Sequence, residues 1–169
     1  ENESHAESIG NLHLACPVET AHVFEHADPS VTAVSPEQPV VFLDLDGVLC
    51  LAGAGMYALP GHRTFDSAAV SALRGLVNRA SARLVLTSSW RKRQADLTQA
   101  TKLLQNEGFT LAGHTTNIEK HRRDEEIVAW LATEKCTSRW VVLDDGPEKF
   151  AGAQKSVVVG KLVVVDASK

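Results

Sequence analysis

The sequence predicts an α/β fold, an open parallel sheet with helices on both faces. Three features predict it: short, continuous apolar runs rich in β-branched residues, helix-periodic segments between them, and connections too long for hairpins. With 169 residues, 44% hydrophobic and 22% charged, the chain has the composition of one ordinary globular domain. Residues 1–38 carry scattered His, Glu, Ser and Pro without periodicity and read as an irregular N-terminal arm. The folded domain is expected over residues 39–169.

Val40-Val41-Phe42-Leu43 is the first expected strand, apolar throughout as a strand covered on both faces must be. A helix follows, with Ala69, Ala72, Leu73, Leu76 and Val77 on one face and Asp66 as its N-cap. Leu84-Val85-Leu86 repeats the strand pattern and runs into Thr87-Ser88-Ser89. The next helix bears Leu97, Ala100, Thr101 and Leu104 and stops at Gly108. The interval from Arg91 to His121 is read as this one helix plus a connection. A third helix is expected over Asp124 to Lys135, with Ile127, Trp130 and Leu131 inward. Trp140-Val141-Val142-Leu143 then forms a third central strand ending at Asp144-Asp145. Val157-Val158-Val159 and Leu162-Val163-Val164-Val165 read as two more strands, joined at Gly160-Lys161 by a tight hairpin or lying separately in the sheet.

Three polar clusters, at 44–47, 87–91 and 144–146, each follow a strand directly. In open parallel sheets ligands bind beyond the carboxyl ends of the strands, so the three are expected to meet. Asp44 and Asp46 flank a single apolar residue, and carboxylates that converge repel unless a cation lies between them. Mg²⁺ suits such a place, because it takes oxygen ligands and commonly uses one or two carboxylates with phosphate and water. Asp144 and Asp145 arrive from another strand to complete the set. Gly47 permits a tight turn whose amides can receive an anion. Thr87 and Ser88 add donors, and Arg91, Arg122 and Arg123 are candidates for pairing with phosphate oxygens. Asp, Ser and Gly also follow strands simply because they make turns, but three such clusters at successive strand ends argue for chemistry.

Val41-Phe42-Leu43-Asp44-Leu45-Asp46-Gly47-Val48-Leu49 resembles the first signature of the haloacid dehalogenase-like (HAD) phosphohydrolases. Leu84-Val85-Leu86-Thr87 resembles the second, Arg123 (or its neighbour Arg122) the third, and Val141-Val142-Leu143-Asp144-Asp145 the fourth. The run Thr87-Ser88-Ser89-Trp90-Arg91, with Arg123-x-x-Glu126-Ile127-x-x-Trp130-Leu131, is most similar to the small HAD domain of Swiss Army Knife RNA repair proteins. The likeness spans about residues 39–166. It implies a Rossmann-like, HAD-like fold and a Mg²⁺-dependent phosphatase with Asp44 as nucleophile and Asp46 as general acid and base. Thr87, Ser88, Gly47 and Arg123 would then hold phosphate. Asp44, the Asp46 carbonyl and Asp145, favoured over Asp144, would hold the metal.

HAD enzymes for small metabolites often carry a cap domain, and neither the interval from Gly47 to Asp66 nor that from Arg91 to His121 is long enough for a sizeable one. An open site bordered by Arg91-Lys92-Arg93 and Lys120-His121-Arg122-Arg123 favours phosphate on a nucleic-acid end, as in nucleic-acid repair, or on another macromolecule, with Arg91 among the substrate contacts. A net charge of -4 argues against wholesale nucleic-acid coating. No stretch reaches the roughly 18 apolar residues of a membrane span. Cys16, Cys50 and Cys136 make neither a disulfide framework nor a zinc pair, and they suit the cytoplasm. Two rival readings remain: a HAD-like module that binds phosphate or a partner without turnover, and a zinc hydrolase built on His22-Val23-Phe24-Glu25-His26.

Overall fold

A computed structural model of the chain describes residues 38–50, 64–118, 122–134, 139–152 and 154–166. The arm at 1–37, with His22, Glu25 and His26, lies outside the described residues, as do Lys120, His121, Cys16 and Cys136. The elements run β1 (Val40–Leu43), α1 (Ser67–Ala80), β2 (Arg83–Leu86), α2 (Gln94–Asn106), β3 (Leu111–His114), α3 (Arg123–Thr133), β4 (Trp140–Asp144), α4 (Lys155–Val159) and β5 (Leu162–Val164). Short 3₁₀ turns at Ser89–Lys92 and Pro147–Lys149 follow β2 and β4.

All five strands are parallel, in the order β3-β2-β1-β4-β5. The chain winds outward from β1 to β3 and then crosses to β4, so the winding reverses between β1 and β4. Crevices at such reversals are where open α/β sheets bind ligands. Because successive strand side chains face opposite ways, Val41 and Leu43 pack towards Val70 and Leu73 of α1 and Ala100 and Leu104 of α2. Val40 and Phe42 pack on the other face with Ile127 of α3 and Val158 of α4. Phe42 meets Trp130 and Trp140 edge-to-face, with centroids 5.4 and 6.0 Å away. Both faces of the sheet are thus covered, as expected for an α/β fold of Rossmann-like, HAD-like type.

Asp66 caps α1, its Oδ1 accepting from the Ala69 amide at 2.9 Å. The buried face of that helix differs from the expected one: Val70 and Leu73 are its core residues, and Ala72 is exposed. The third helix begins one residue earlier than expected and ends at Thr133. The interval after Arg91 contains β3 as well as a helix. Its sequence Leu-Ala-Gly-His carries no apolar run because an edge strand exposes alternate residues.

Val157, Val158 and Val159 are not a strand. They belong to α4, and Leu162–Val164 pairs parallel to β4 through Leu162 and Val142. A parallel neighbour requires a crossover that carries the chain back across the sheet, and that demand overrides the β-propensity of three valines, burying Val158 completely. The hairpin at Gly160-Lys161 is therefore excluded. No helix among the described residues is long and apolar enough to cross a membrane.

Candidate active site

Strand register assembles the site. Leu43 pairs with Leu86 on one side and Leu143 on the other, so the next residues, Asp44, Thr87 and Asp144, emerge side by side at the carboxyl edge. Backbone bonds hold them there: the Asp44 amide donates to the Leu143 carbonyl and the Thr87 amide to the Leu43 carbonyl, each at 2.9 Å. The three clusters that were expected to meet do meet.

Asp44 is buried, its Oδ1 accepting from the Leu45 amide at 2.8 Å. Its Oδ2 accepts from Arg123 Nη1 at 2.5 Å and from Lys149 Nζ at 2.9 Å. Burial alone would raise the Asp44 carboxyl, but Arg123 and then Lys149 outweigh it and hold the group below the usual carboxylate range. Asp144 is displaced the other way. Burial and the neighbouring Asp44 push it up, against Arg123, Lys149 and the Gly146 amide that donates to its Oδ1 at 2.9 Å. Arg123 Nη1 bridges the two carboxylates, bonding Asp144 Oδ2 as well as Asp44. Arg122 faces away, exposed and paired with Glu125 at 3.0 Å, so of the two adjacent arginines it is Arg123 that reaches the site.

Oxygens of Asp44, Asp144 and Asp145 lie within 4.8 Å of one another. An all-oxygen set of carboxylates at that spacing fits a hard divalent cation. The Asp145 carboxylate is a third exposed and lies against Gly47, whose φ of 79° a side chain would strain and whose added Cβ would fall 2.0 Å from Asp145 Oδ2. Gly47 therefore makes room for Asp145. The Asp46 carboxylate stands apart from this acidic group. Its Oδ2 accepts from Trp90 Nε1 at 2.9 Å.

Thr87 is fully buried, and no hydrogen bond to its Oγ1 is found among the described residues. Ser88 is also buried and caps the following 3₁₀ turn, its Oγ accepting from the Trp90 amide at 3.5 Å. Arg91, expected among the substrate contacts, lines the cavity and is also tied into the scaffold. It is only 8% exposed; its Nη1 bonds the Thr87 and Ser88 carbonyls, its Nε the Thr115 carbonyl, and its Nη2 the carboxylate of Glu126. Lys92 and Arg93 carry the exposed charge of that run.

Three participants escaped sequence reasoning. Lys149 Nζ contacts Asp44, Asp144 and Asp145 at 2.8 to 3.1 Å, and Asp145 and Asp44 outweigh burial to raise the ammonium well above its ordinary value. Its signal was a lysine four residues after Asp145, behind Gly146-Pro147, which turns the chain back over the strand end. Trp90, which entered the sequence reading only as part of the family-like run, is a core residue whose indole nitrogen also reaches the site. Glu126 completes the buried pair with Arg91 and accepts from the Ile118 amide at 3.0 Å.

These groups open on a cavity of about 180 Å³ lined by Asp44, Asp46, Arg91, Lys92, Arg123 and Lys149 among others. A carboxylate beside an arginine at the reversal point of a parallel sheet, with more carboxylates from the next strand, is an arrangement compatible with the phosphatase-type hydrolases of the HAD class. Residues 40–169 match the family described as the HAD domain in Swiss Army Knife RNA repair proteins, and the chain belongs to it. No curated protein and no solved structure matches the chain.

Proposed function

We propose that the protein hydrolyses phosphomonoesters through an aspartyl-phosphate intermediate on Asp44, with Mg²⁺ held by Asp44, the Asp46 carbonyl and Asp145. The observation that carries this reading is the Asp44 carboxylate kept ionised at the cavity wall by Arg123, with Asp46 on the same wall. Asp44 attacks phosphorus as the bond to the leaving oxygen breaks, and Asp46 gives that oxygen a proton. Asp46 then takes a proton from the water that displaces Asp44 from phosphorus and releases inorganic phosphate. Arg123 neutralises charge on the transferring oxygens, and Thr87 and Ser88 offer hydroxyls to them. Bound Mg²⁺ would supply further charge neutralisation between carboxylate and phosphate. The acidic group supports Mg²⁺ as the ion, since hard cations prefer oxygen donors.

The substrate we infer is a phosphorylated nucleic-acid end. A cavity of about 180 Å³ suits a phosphate and a few waters but falls short of the 300 Å³ or more of a site that encloses a whole small molecule, so the rest of the substrate lies outside. Exposed Lys92 lines the cavity, exposed Arg93 and Arg122 are sequence neighbours of cavity-lining Lys92 and Arg123, and the family's link to RNA repair points the same way.

Hydrolysis of 4-nitrophenyl phosphate with and without Mg²⁺ tests the reaction. Asp44→Asn is expected to lower turnover at least about a thousand-fold, as removal of a nucleophile does. Metal-dependent turnover that survives this substitution overturns the nucleophile, and a parent protein without turnover points to the binding module. Comparing 3′- and 5′-phosphorylated oligonucleotides with free nucleotides and phosphopeptides tests the substrate. Equal rates on free nucleotides overturn it.

A further inference from the structure

We propose that Trp90 is a positioning residue for proton transfer, fixing the Asp46 carboxylate through its indole N–H; this rests on the phosphatase reading above. Asp46 lies on the turn that follows β1, is partly exposed, and lines the cavity. An aspartate in a turn has a broad, soft terminal torsion, so its carboxylate does not by itself present one oxygen to a leaving group. Trp90 removes that freedom. The residue is 4% exposed and packed in the core shared with α1 and α2, and its Nε1 donates to Asp46 Oδ2 at 2.9 Å.

The donor suits the task chemically. An indole N–H donates and cannot accept, so it anchors the carboxylate without competing for the proton in transit. The bond joins segments 44 residues apart: the 3₁₀ turn after β2 reaches across to the loop after β1. Thr87, Ser88 and Trp90 thus act as one unit, with Thr87 at the strand end, Ser88 capping the turn, and the turn carrying the indole to Asp46.

Leaving groups separate positioning from packing. A nitrophenolate departs with little help from an acid, whereas an alkoxide requires a proton. Trp90→Phe, which keeps an aromatic ring and deletes the N–H, is expected to lower kcat/KM for β-glycerol phosphate by about 10- to 100-fold, a part of what general acid catalysis supplies. The loss on 4-nitrophenyl phosphate should stay within about threefold. In an Asp46→Asn background the same change should add no further discrimination between the two esters, since the route through the carboxylate is gone. Equal slowing of both esters, or no change in either, overturns the proposal.

An intact core allows a second measurement. The Trp90 indole ¹H–¹⁵N resonance, assigned against Trp130 and Trp140, is expected to move upfield in Asp46→Ala. An unmoved resonance overturns the bond itself. The resonance measurement does not depend on turnover, so failure of the phosphatase reading is recognised separately, by a parent protein without turnover or by Asp44→Asn.

Discussion

Two arginines line the same cavity at nearly equal burial, Arg91 at 8% exposure and Arg123 at 7%, and their surroundings separate them. Arg91 is enclosed by three backbone carbonyls and one carboxylate, which engage all three guanidinium nitrogens. Arg123 bonds two carboxylates through a single nitrogen, Nη1, and these are its hydrogen bonds among the described residues. Burial lowers the Arg91 guanidinium despite Glu126, whereas Asp44 and Asp144 outweigh burial and raise Arg123. The first arginine ties the ends of β2 and β3 to α3. The second bridges the carboxylates at the carboxyl ends of β1 and β4. Burial alone does not distinguish scaffold from site; the number and kind of partners does.

Substitution can break this contrast. Arg91→Met strands Glu126 as an unpaired buried charge and should cost about 3–5 kcal/mol of stability, read from urea unfolding. Adding Glu126→Leu should recover most of the loss. Arg123→Met should act on turnover instead, lowering kcat by about 10²–10³-fold as loss of a transition-state donor does. Its effect on unfolding should be the smaller of the two, because Lys149 still bonds Asp44 and Asp144. An Arg123 variant that unfolds beside an Arg91 variant that merely slows would reverse the assignment. The smallest expected effect falls on the third cation. Lys149 bonds all three carboxylates of the acidic group, so a cation held by Asp44 and Asp145 would compete with its ammonium. Lys149→Met should tighten Mg²⁺ binding about tenfold, or roughly 1.4 kcal/mol, by titration calorimetry. Unchanged or weaker binding would show that ammonium and ion do not compete.

The most legible parts of the sequence were those where one physical demand dominates. β1 is apolar at every position because both its faces are covered, and the polar residue that ends such a run must lie at the sheet edge. That reasoning located Asp44, Thr87 and Asp144. The choice between Arg122 and Arg123 was open, although Arg123, Ile127 and Trp130 fall at i, i+4 and i+7 on the inward stripe of α3. β3 was missed because an edge strand lacks the apolar run of a central one. α4 was misread because crossover topology overruled three valines. Lys149 and the Trp90 contact were hidden for another reason: both reach the site through 3₁₀ turns, which carry no periodic pattern.

The position of β1 has a wider consequence. It lies between β2 and β4, and the amides of Asp44, Thr87 and Thr115 continue the ladder past the strand ends by donating to the Leu143, Leu43 and Leu86 carbonyls. The Asp44 carboxylate is thus anchored on the central strand, a segment that hydrogen exchange is expected to reach last because its opening requires the whole sheet to come apart. Core mutations far from the cavity should therefore reduce the fraction of active molecules and leave the turnover of each surviving molecule unaltered.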